Sequence, residues 1–473
     1  MAKWIAPLFL LNLLLFGIFS KPDVDVVPPQ YKLILPLKSG HLKLQNIRRG
    51  ISIIGAAGSG KTESIVYLLL KHFKEHSFTG VIHDYKHFEI TEIAYPLFKE
   101  LNIPFHIVAF DNIYKRVNPI APKYLPDAES VNEIARVLLE NLLEQKESSA
   151  SGTTKFFNDA AEGLLAGLIW KLKTAAPHYC SLPHLIAAYQ YLSTEQLAEY
   201  LNSDLTSKAM ADSFISGIDS ERQTAGVKST LSNALKKIST QRIFMSLSAD
   251  DIPLDINNPK HPAIVILVNN PKYDATYSPV IATIMHTIIK QMSIRNQLSS
   301  FLLAEEASTF RLLNMQRIPA TLRSYDITTV YVLQDKIQND IMYGDKTSKA
   351  ILSNLSYQFF GKANDPDTAS YYERFFELVK QPTRSVSKSS NWNFDARITK
   401  GEKEVSKIRA NAFFRLKRGE FIAYADGKDK RVYFKKPEIT RALPLPKYKA
   451  NAPELEANFK RIHLEIRQYF LKG

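Results

Sequence analysis

Residues 51 to 70 read ISIIGAAGSGKTESIVYLLL, and their centre, Gly55 to Thr62, fits G-x-x-x-x-G-K-[ST]. Four residues of mainly apolar, β-branched character, ISII, precede it and an amphipathic helical pattern follows, so the spacing predicts strand, tight loop and helix in immediate succession. Gly55, Gly58 and Gly60 let the backbone N–H groups of the loop, with Ala56, Ala57 and Ser59 between them, turn inward around phosphate oxygens. The following helix points its positive dipole end at the same anion. Lys61 is then placed to reach β- and γ-phosphates, and Thr62 to hold Mg²⁺, which makes ATP with Mg²⁺ the expected ligand. A glycine-rich turn can be only a turn; the strand and helix on either side favour the phosphate reading.

A single core does not serve 473 residues, so two or three domains are expected. Lys and Arg number 61 against 47 Asp and Glu, a net charge of +14. That excess suits a polyanionic partner or an anionic membrane surface, against the plainer reading of a solvated basic surface. Cys180 is the one cysteine, which excludes an internal disulfide framework and any cysteine-based zinc site. It reads as an ordinary core or helix residue. From Trp4 to Phe19 the chain is apolar except for Asn12 and is flanked by Lys3 and Lys21. As a helix this segment spans about 24 Å, short of the roughly 30 Å hydrocarbon core, so an anchor over residues 1–22 requires bilayer thinning and lysine snorkelling. A cleaved signal peptide is the competing reading. It is set aside because no small-x-small site follows Phe19 and an exported ATPase would meet no ATP. Lys21, Lys32 and Lys38 after the segment, against Lys3 before it, place the body on the cytoplasmic side of the inner membrane.

Past a linker, DVDVVPPQ, residues 23–126 form the first part of a nucleotide-binding domain: GVIHDY and FHIVAF read as strands around the helical FEITEIAYPLFKEL. Residues 127–247 lose strand character, and apolar residues recur at three and four, predicting an all-helical insertion with a polar loop at 145–154. Strands resume over 248–445 with AIVILVNN, FLLAEE, TTVYVLQD and QFFGKA; TRSVSKSS (383–390) reads as a Ser-rich loop and FFRLKRGEFIAYADGKDKRVYF as a hairpin. The tail, 446–473, carries Leu455, Phe459, Ile462, Ile466 and Phe470 at helical spacing, a stripe for packing rather than for a partner. The predicted fold class is α/β, a P-loop sheet domain with an inserted helical domain and a short N-terminal transmembrane segment.

A P-loop needs acidic groups at the end of a neighbouring strand, and FLLAEEAS supplies them. Glu305 falls where a metal-side carboxylate belongs, and Glu306 where a base orients water. The plain alternative is a solvated strand end. Gln334 ends the next strand, positioned to sense a γ-phosphate. Arg323, eleven residues earlier, could add positive charge to a transition state in its own chain or next door, and is expected near the nucleotide end of the sheet on a flank facing a neighbour. The other reading of Arg323 is a local pair with Asp326. Lys336, Lys346 and Lys349, in what reads as a loop region, are candidates to face DNA, or plain surface lysines.

The ordered set GAAGSGKT, HDYK, VNPI, a helical insertion, LLAEEASTF, LRSYDITTVYVLQD and ILSNLSYQFFGKANDPDTASYY resembles the VirD4/TraG/TraD coupling proteins of type IV secretion, over about residues 30–435. The resemblance implies a RecA-like, membrane-anchored homo-hexameric ATPase that hands a relaxase–DNA complex, the relaxosome, to the components of a type IV secretion channel. By motif it assigns phosphate and Mg²⁺ roles to Lys61 and Thr62, the acidic pair to Glu305 and Glu306, the sensor to Gln334, the intersubunit finger to Arg323, and an Asp-x-Lys element to Asp84 and Lys86. The chain departs from the family in carrying Glu305 where Asp is usual and in beginning with one short apolar segment where two transmembrane helices are usual. The latter is expected to reflect a reduced anchor or a start downstream of the true one. Two other readings are a VirB4-like secretion-channel ATPase, disfavoured by the position of the insertion, and a nucleotide-gated relaxase receptor with little turnover, which would need neither Glu306 nor Gln334.

Overall fold

A computed structural model of the chain describes residues 27–143, 152–388 and 396–472. The expected anchor and most of the expected 145–154 loop lie outside these residues. Among the described residues no helix is long and apolar enough to cross a membrane.

Thirteen strands are present among them. A small antiparallel pair, β1 (Leu33–Pro36) and β2 (His41–Leu44), precedes β3 (Ile51–Ile54), β4 (Thr79–Asp84), β5 (Phe105–Val108), β6 (Ile264–Val268), β7 (Ser300–Ala304), β8 (Ile327–Leu333) and β9 (Tyr357–Phe360). A long antiparallel pair, β10 (Leu378–Lys388) and β11 (Ala396–Ser406), stands apart, and β12 (Glu420–Ala425) and β13 (Lys428–Tyr433) close the series. The main sheet runs β13-β12-β9-β3-β8-β7-β4-β6-β5. From β9 to β5 every pairing is parallel, and β12 and β13 add an antiparallel edge.

The strand sequences explain this burial. ISII, IVILV and ITTVYVL are buried at every position, as expected of parallel strands covered on both faces. Alternation divides each strand between two cores. Ile51, Ile53, Ile264 and Ile266 join Leu69, Leu70, Ile90 and Ile93 of the helices Tyr67–Glu75 and Glu89–Phe98 on one face. Ile54, Val265 and Leu267 join the helical region on the other. The β12–β13 connection is the two-residue turn Asp426-Gly427, both with positive φ (48° and 77°), the chemistry a tight hairpin requires.

Between β5 and β6 the chain is helical, from Ala128–Leu142 to Gln241–Leu247. The helix starts follow from side-chain caps. Asp127 and Ser130 form a capping box, Ser193 and Gln196 a second, and Asp204 and Thr240 cap two more helices. Gly163, on the helix Gly152–Ala175, permits a close crossing, since a Cβ there would lie 2.3 Å from the Met210 carbonyl oxygen. The core of this region is continuous with one face of the sheet: Leu164 and Leu168 belong to the same apolar cluster as Ile54 and Leu302. Cys180 is buried here, its Sγ 3.1 Å from the Ile120 carbonyl.

Two expectations change. TRSVSKSS is not a loop up to Lys388, because those residues lie in β10, paired in register with β11. A strand this polar has no hydrophobic alternation to reveal it. The segment after Gln334 is two helices, Lys336–Tyr343 and Asp345–Ser353, and Lys336 is buried, bonded to Asp340 Oδ1 (2.7 Å) and Asp345 Oδ1 (3.2 Å). Its long apolar stem packs inward and two carboxylates hold its ammonium group. Lys349 is exposed and pairs with Asp345 at 2.7 Å, and Lys346 is exposed.

The tail helix Pro453–Lys472 packs on Leu182–Tyr191 and Gln241–Leu247, burying Ile462 and Ile466, with Glu465 Oε2 3.0 Å from His184 Nε2. Ile462→Ala should therefore weaken this docking by about 2–5 kcal/mol. Trypsin is expected to cut first at Lys460 or Arg461 while the remainder stays resistant; unchanged digestion would show that the stripe is not what holds the tail.

Candidate functional site

The loop after β3 is held from three directions. Gly55 N–H donates to the Leu333 carbonyl of β8 (3.2 Å), Ala56 N–H to the Lys362 carbonyl just past β9 (2.7 Å), and Gly419 N–H, before β12, to the Ser59 carbonyl (2.8 Å). Gly58 and Gly60 take φ of +76° and +91°, which only glycine adopts freely. A Cβ on Gly60 would also lie 2.9 Å from Gly419 N, so this position is fixed by space as well as by conformation. The helix that follows opens with a π turn, Thr62–Val66, a widened first turn of the kind found at functional sites.

Lys61 is buried, and its Nζ turns back on the carbonyls of Gly55 and, at 3.4 Å, Ala56. Burial pulls its pKa down to about 8 against the pull of Glu306 and Glu305.

The sheet order brings the remaining groups to this loop. Ile54 pairs with Leu333, and Ala304 with Tyr331, so β3, β8 and β7 end side by side. Gln334 leaves β8 between the P-loop and the acidic pair. Its N–H donates to Glu306 Oε1 at 3.3 Å, and Ser308 Oγ donates to the same oxygen at 3.4 Å. Glu306 sits at φ 47°, ψ 56°, a left-handed conformation rarely spent on a glutamate away from function. Burial raises its pKa, opposed chiefly by Lys61. Glu305 is equally buried, and accepts from Tyr85 N–H and Lys86 Nζ, each at 3.2 Å. Burial and the neighbouring Asp84 hold its carboxyl above the usual range.

Asp84 and Lys86, the two named positions of the Asp-x-Lys element, do different work. Lys86 neutralises Glu305 and pairs with Glu89 at 3.5 Å. Asp84 is fully buried and accepts from Thr91 N–H (2.7 Å) and Thr91 Oγ1 (2.5 Å), fastening the first turn of the helix Glu89–Phe98 to the end of β4. Arg323 does not lie at this end of the sheet. It precedes β8 whereas Gln334 follows it, and seven extended residues separate the two by more than about 20 Å. The short turn places Arg323 near the start of a parallel strand, and nucleotide groups gather at strand carboxyl ends. Action on its own chain's nucleotide is excluded on that distance. Asp326 is not its partner either, pairing instead with Arg48 at 2.7 Å.

The sequence reading missed the opposite wall of the cleft. Gly58 to Glu63, Lys86, Glu89 and Arg418 line a space of about 90 Å³, and Arg418 Nη2 lies 2.7 Å from Glu63 Oε2. Arg418 is 355 residues from Glu63, and only its place beside the turn glycine in KRGEF could have marked it. Among the described residues no group of three or more His, Cys, Asp or Glu could hold a metal unaided. The donors present, the Thr62 hydroxyl and the Glu305 carboxylate, fit a Mg²⁺ that arrives with the phosphates and keeps several waters.

A parallel sheet, a phosphate-binding loop and a buried acidic pair one strand away define a P-loop nucleotide-binding protein. The family described as type IV secretory system conjugative DNA transfer matches residues 20–422, and the chain belongs to it. Its fold is similar to the bacterial conjugative coupling protein TrwBdeltaN70 in unbound form (TM-score 0.67, 12% identity, 89% of this chain and 92% of that one). It is also similar to the plasmid coupling protein TrwB in complex with ADP and Mg²⁺ (TM-score 0.66, 12% identity, 84% and 89%). VirB4 of Thermoanaerobacter pseudethanolicus is less similar (TM-score 0.53, 13% identity, 87% and 98%). No protein of curated function matches the chain by sequence.

The depressed Lys61 pKa sets a proton signature for nucleotide binding. A polyphosphate beside Nζ raises that pKa again, so ADP binding at pH 8.5 should take up a proton, and binding at pH 6.5, where the lysine is already charged, should not do so through this group. Calorimetry in buffers of different ionisation enthalpy reads the uptake. Uptake of equal size at the two pH values would assign it elsewhere.

Proposed function

We propose that this protein is the coupling ATPase of a conjugative type IV secretion system, using ATP hydrolysis to drive a relaxase–DNA complex toward the secretion channel. The observation that carries this reading is the meeting of Lys61, Glu306 and Gln334 at the ends of β3, β7 and β8, in a chain of the conjugative DNA-transfer family. The loop amides and Lys61 would hold the triphosphate, and Thr62 and Glu305 would hold a Mg²⁺, which when bound would supply positive charge to the phosphates. Glu306, buried and raised in pKa, takes up a proton from water aligned on the γ-phosphate, and Gln334, bonded to it, reports whether that phosphate is present. A receptor with little turnover would have no use for this pair. The strongly basic composition suits a phosphate-tracking path for DNA. Trp4–Phe19 is assigned as the inner-membrane anchor, with the body in the cytoplasm.

Lys61→Ala should lose nucleotide binding and turnover with the fold retained, while Glu306→Gln should bind ATP and hydrolyse it at least about 10²-fold more slowly. Both should abolish plasmid transfer in a mating assay; normal transfer by Lys61→Ala would remove the motor reading.

The position of Arg323 supports a ring. Exposed at the far end of β8 from its own P-loop, it can meet a γ-phosphate only across an interface between copies, and a homo-hexamer is the arrangement proposed. Fingers supplied in trans contribute about 10³ to 10⁵ in rate. Arg323→Ala and Lys61→Ala should each be inactive, yet co-assembled rings should regain DNA-stimulated ATPase activity, because some interfaces then combine an intact loop with an intact finger. Rings verified as mixed that stay silent would exclude the assignment.

A further inference from the structure

Three cations face the nucleotide cleft, and each is held by an acceptor within the chain. Lys61 rests on the Gly55 carbonyl, Lys86 on Glu305 and Glu89, and Arg418 on Glu63. The first two belong to the assigned site. Arg418 reaches the cleft from the opposite side of the P-loop strand, since β9 and β12 flank β3 on one side while β8 and β7, with Gln334 and Glu306, flank it on the other.

The turn that carries Arg418 is fixed. Gly419 takes φ +77°, donates its N–H to Ser59 of the P-loop, and accepts from Phe434 N–H at 2.9 Å. Glu420 caps the same turn, accepting from Lys417 N–H (3.0 Å) and from Arg431 Nε (2.7 Å). The backbone of residues 417–420 is thus pinned to the loop that would bind phosphate. The Arg418 side chain is 64% exposed, and its Cγ would lie 3.2 Å from a Cβ at Gly60. An exposed ion pair such as Arg418–Glu63 adds little stability, so exchange of its anionic partner is easy. A planar guanidinium is also well matched to phosphate oxygens.

We infer that Arg418 is a nucleotide-contacting residue. Its guanidinium leaves Glu63 for the α-phosphate end of the bound nucleotide, and Glu63 holds it when the cleft has no nucleotide. The α-phosphate end follows from sheet order. A triphosphate with its γ end toward Glu306 and Gln334 has its other end on the β9–β12 side, beside Thr62 and Glu63. This assignment deepens the ATPase reading and rests on it.

The test compares affinities of the full-length protein in detergent for ADP and for a non-hydrolysable ATP analogue. Arg418→Ala should weaken both by about tenfold, the scale of one charge-assisted hydrogen bond. In turnover the loss should fall on KM much more than on kcat, and Arg418→Lys should recover part of it. Glu63→Gln should act in the opposite direction, tightening both ligands by about two- to fivefold because the competing acceptor is weakened. If the pair were only a structural clamp, both substitutions would weaken binding alike, and that result overturns the inference. So does an unchanged ADP affinity in Arg418→Ala, or a loss confined to the ATP analogue, which would place the contact at the γ-phosphate. Lys61→Ala separates the two levels. If it binds ADP as wild type does, the nucleotide reading itself falls; if it loses binding while Arg418→Ala keeps it, only the Arg418 assignment falls.

Discussion

The parallel pairing of β8 between β3 and β7 is the constraint on which the site depends. It sets the distance between the phosphate loop and the acidic pair at one intervening strand, and fills that strand's end with Gln334. It also satisfies the backbone of both neighbours, while Ser52, Thr328 and Thr329 are buried among isoleucine, leucine and valine with no partner for their side-chain hydroxyls among the described residues. A register slip of one residue would turn the apolar side chains of β8 to opposite faces and move Gln334 off Glu306 together. Fold and chemistry are therefore specified by the same hydrogen bonds.

Burial gives the acidic pair its character. Glu305 and Glu306 follow a fully buried strand, and desolvation is the largest influence on each. Their environments then diverge: Glu305 is answered by Lys86 and crowded by Asp84, while Glu306 is answered by Lys61 and the Gln334 amide. Two adjacent carboxyls thereby sit in different electrostatic surroundings, which is what separate roles would require. Arg323 stands outside this local economy of charge, at the other end of β8.

Much of this was legible in the sequence because it is local. GAAGSGKT declares a loop between strand and helix, AEE declares the end of a buried strand, and the helical period over 127–247 is unbroken by strand signals. What could not be read is non-local or polar. Asp84 sits in a motif beside the site, yet its partner is Thr91, and Arg418 reaches Glu63 from 355 residues away. The strand β10 escaped because its sequence has no apolar face, and the misplacement of Arg323 came from judging position by sequence distance to Gln334 without following the direction of the strand between them.

The single apolar cluster that joins Leu164 and Leu168 to Ile54 and Leu302 has a mechanical consequence. A close-packed interior transmits displacement and resists shear. Sheet and helical layer in this chain are therefore coupled like two faces of one lever, with no fluid seam along which one could slide past the other. A displacement at the phosphate loop would be passed through this shared core to the helical layer, and compliance is left to the surface loops.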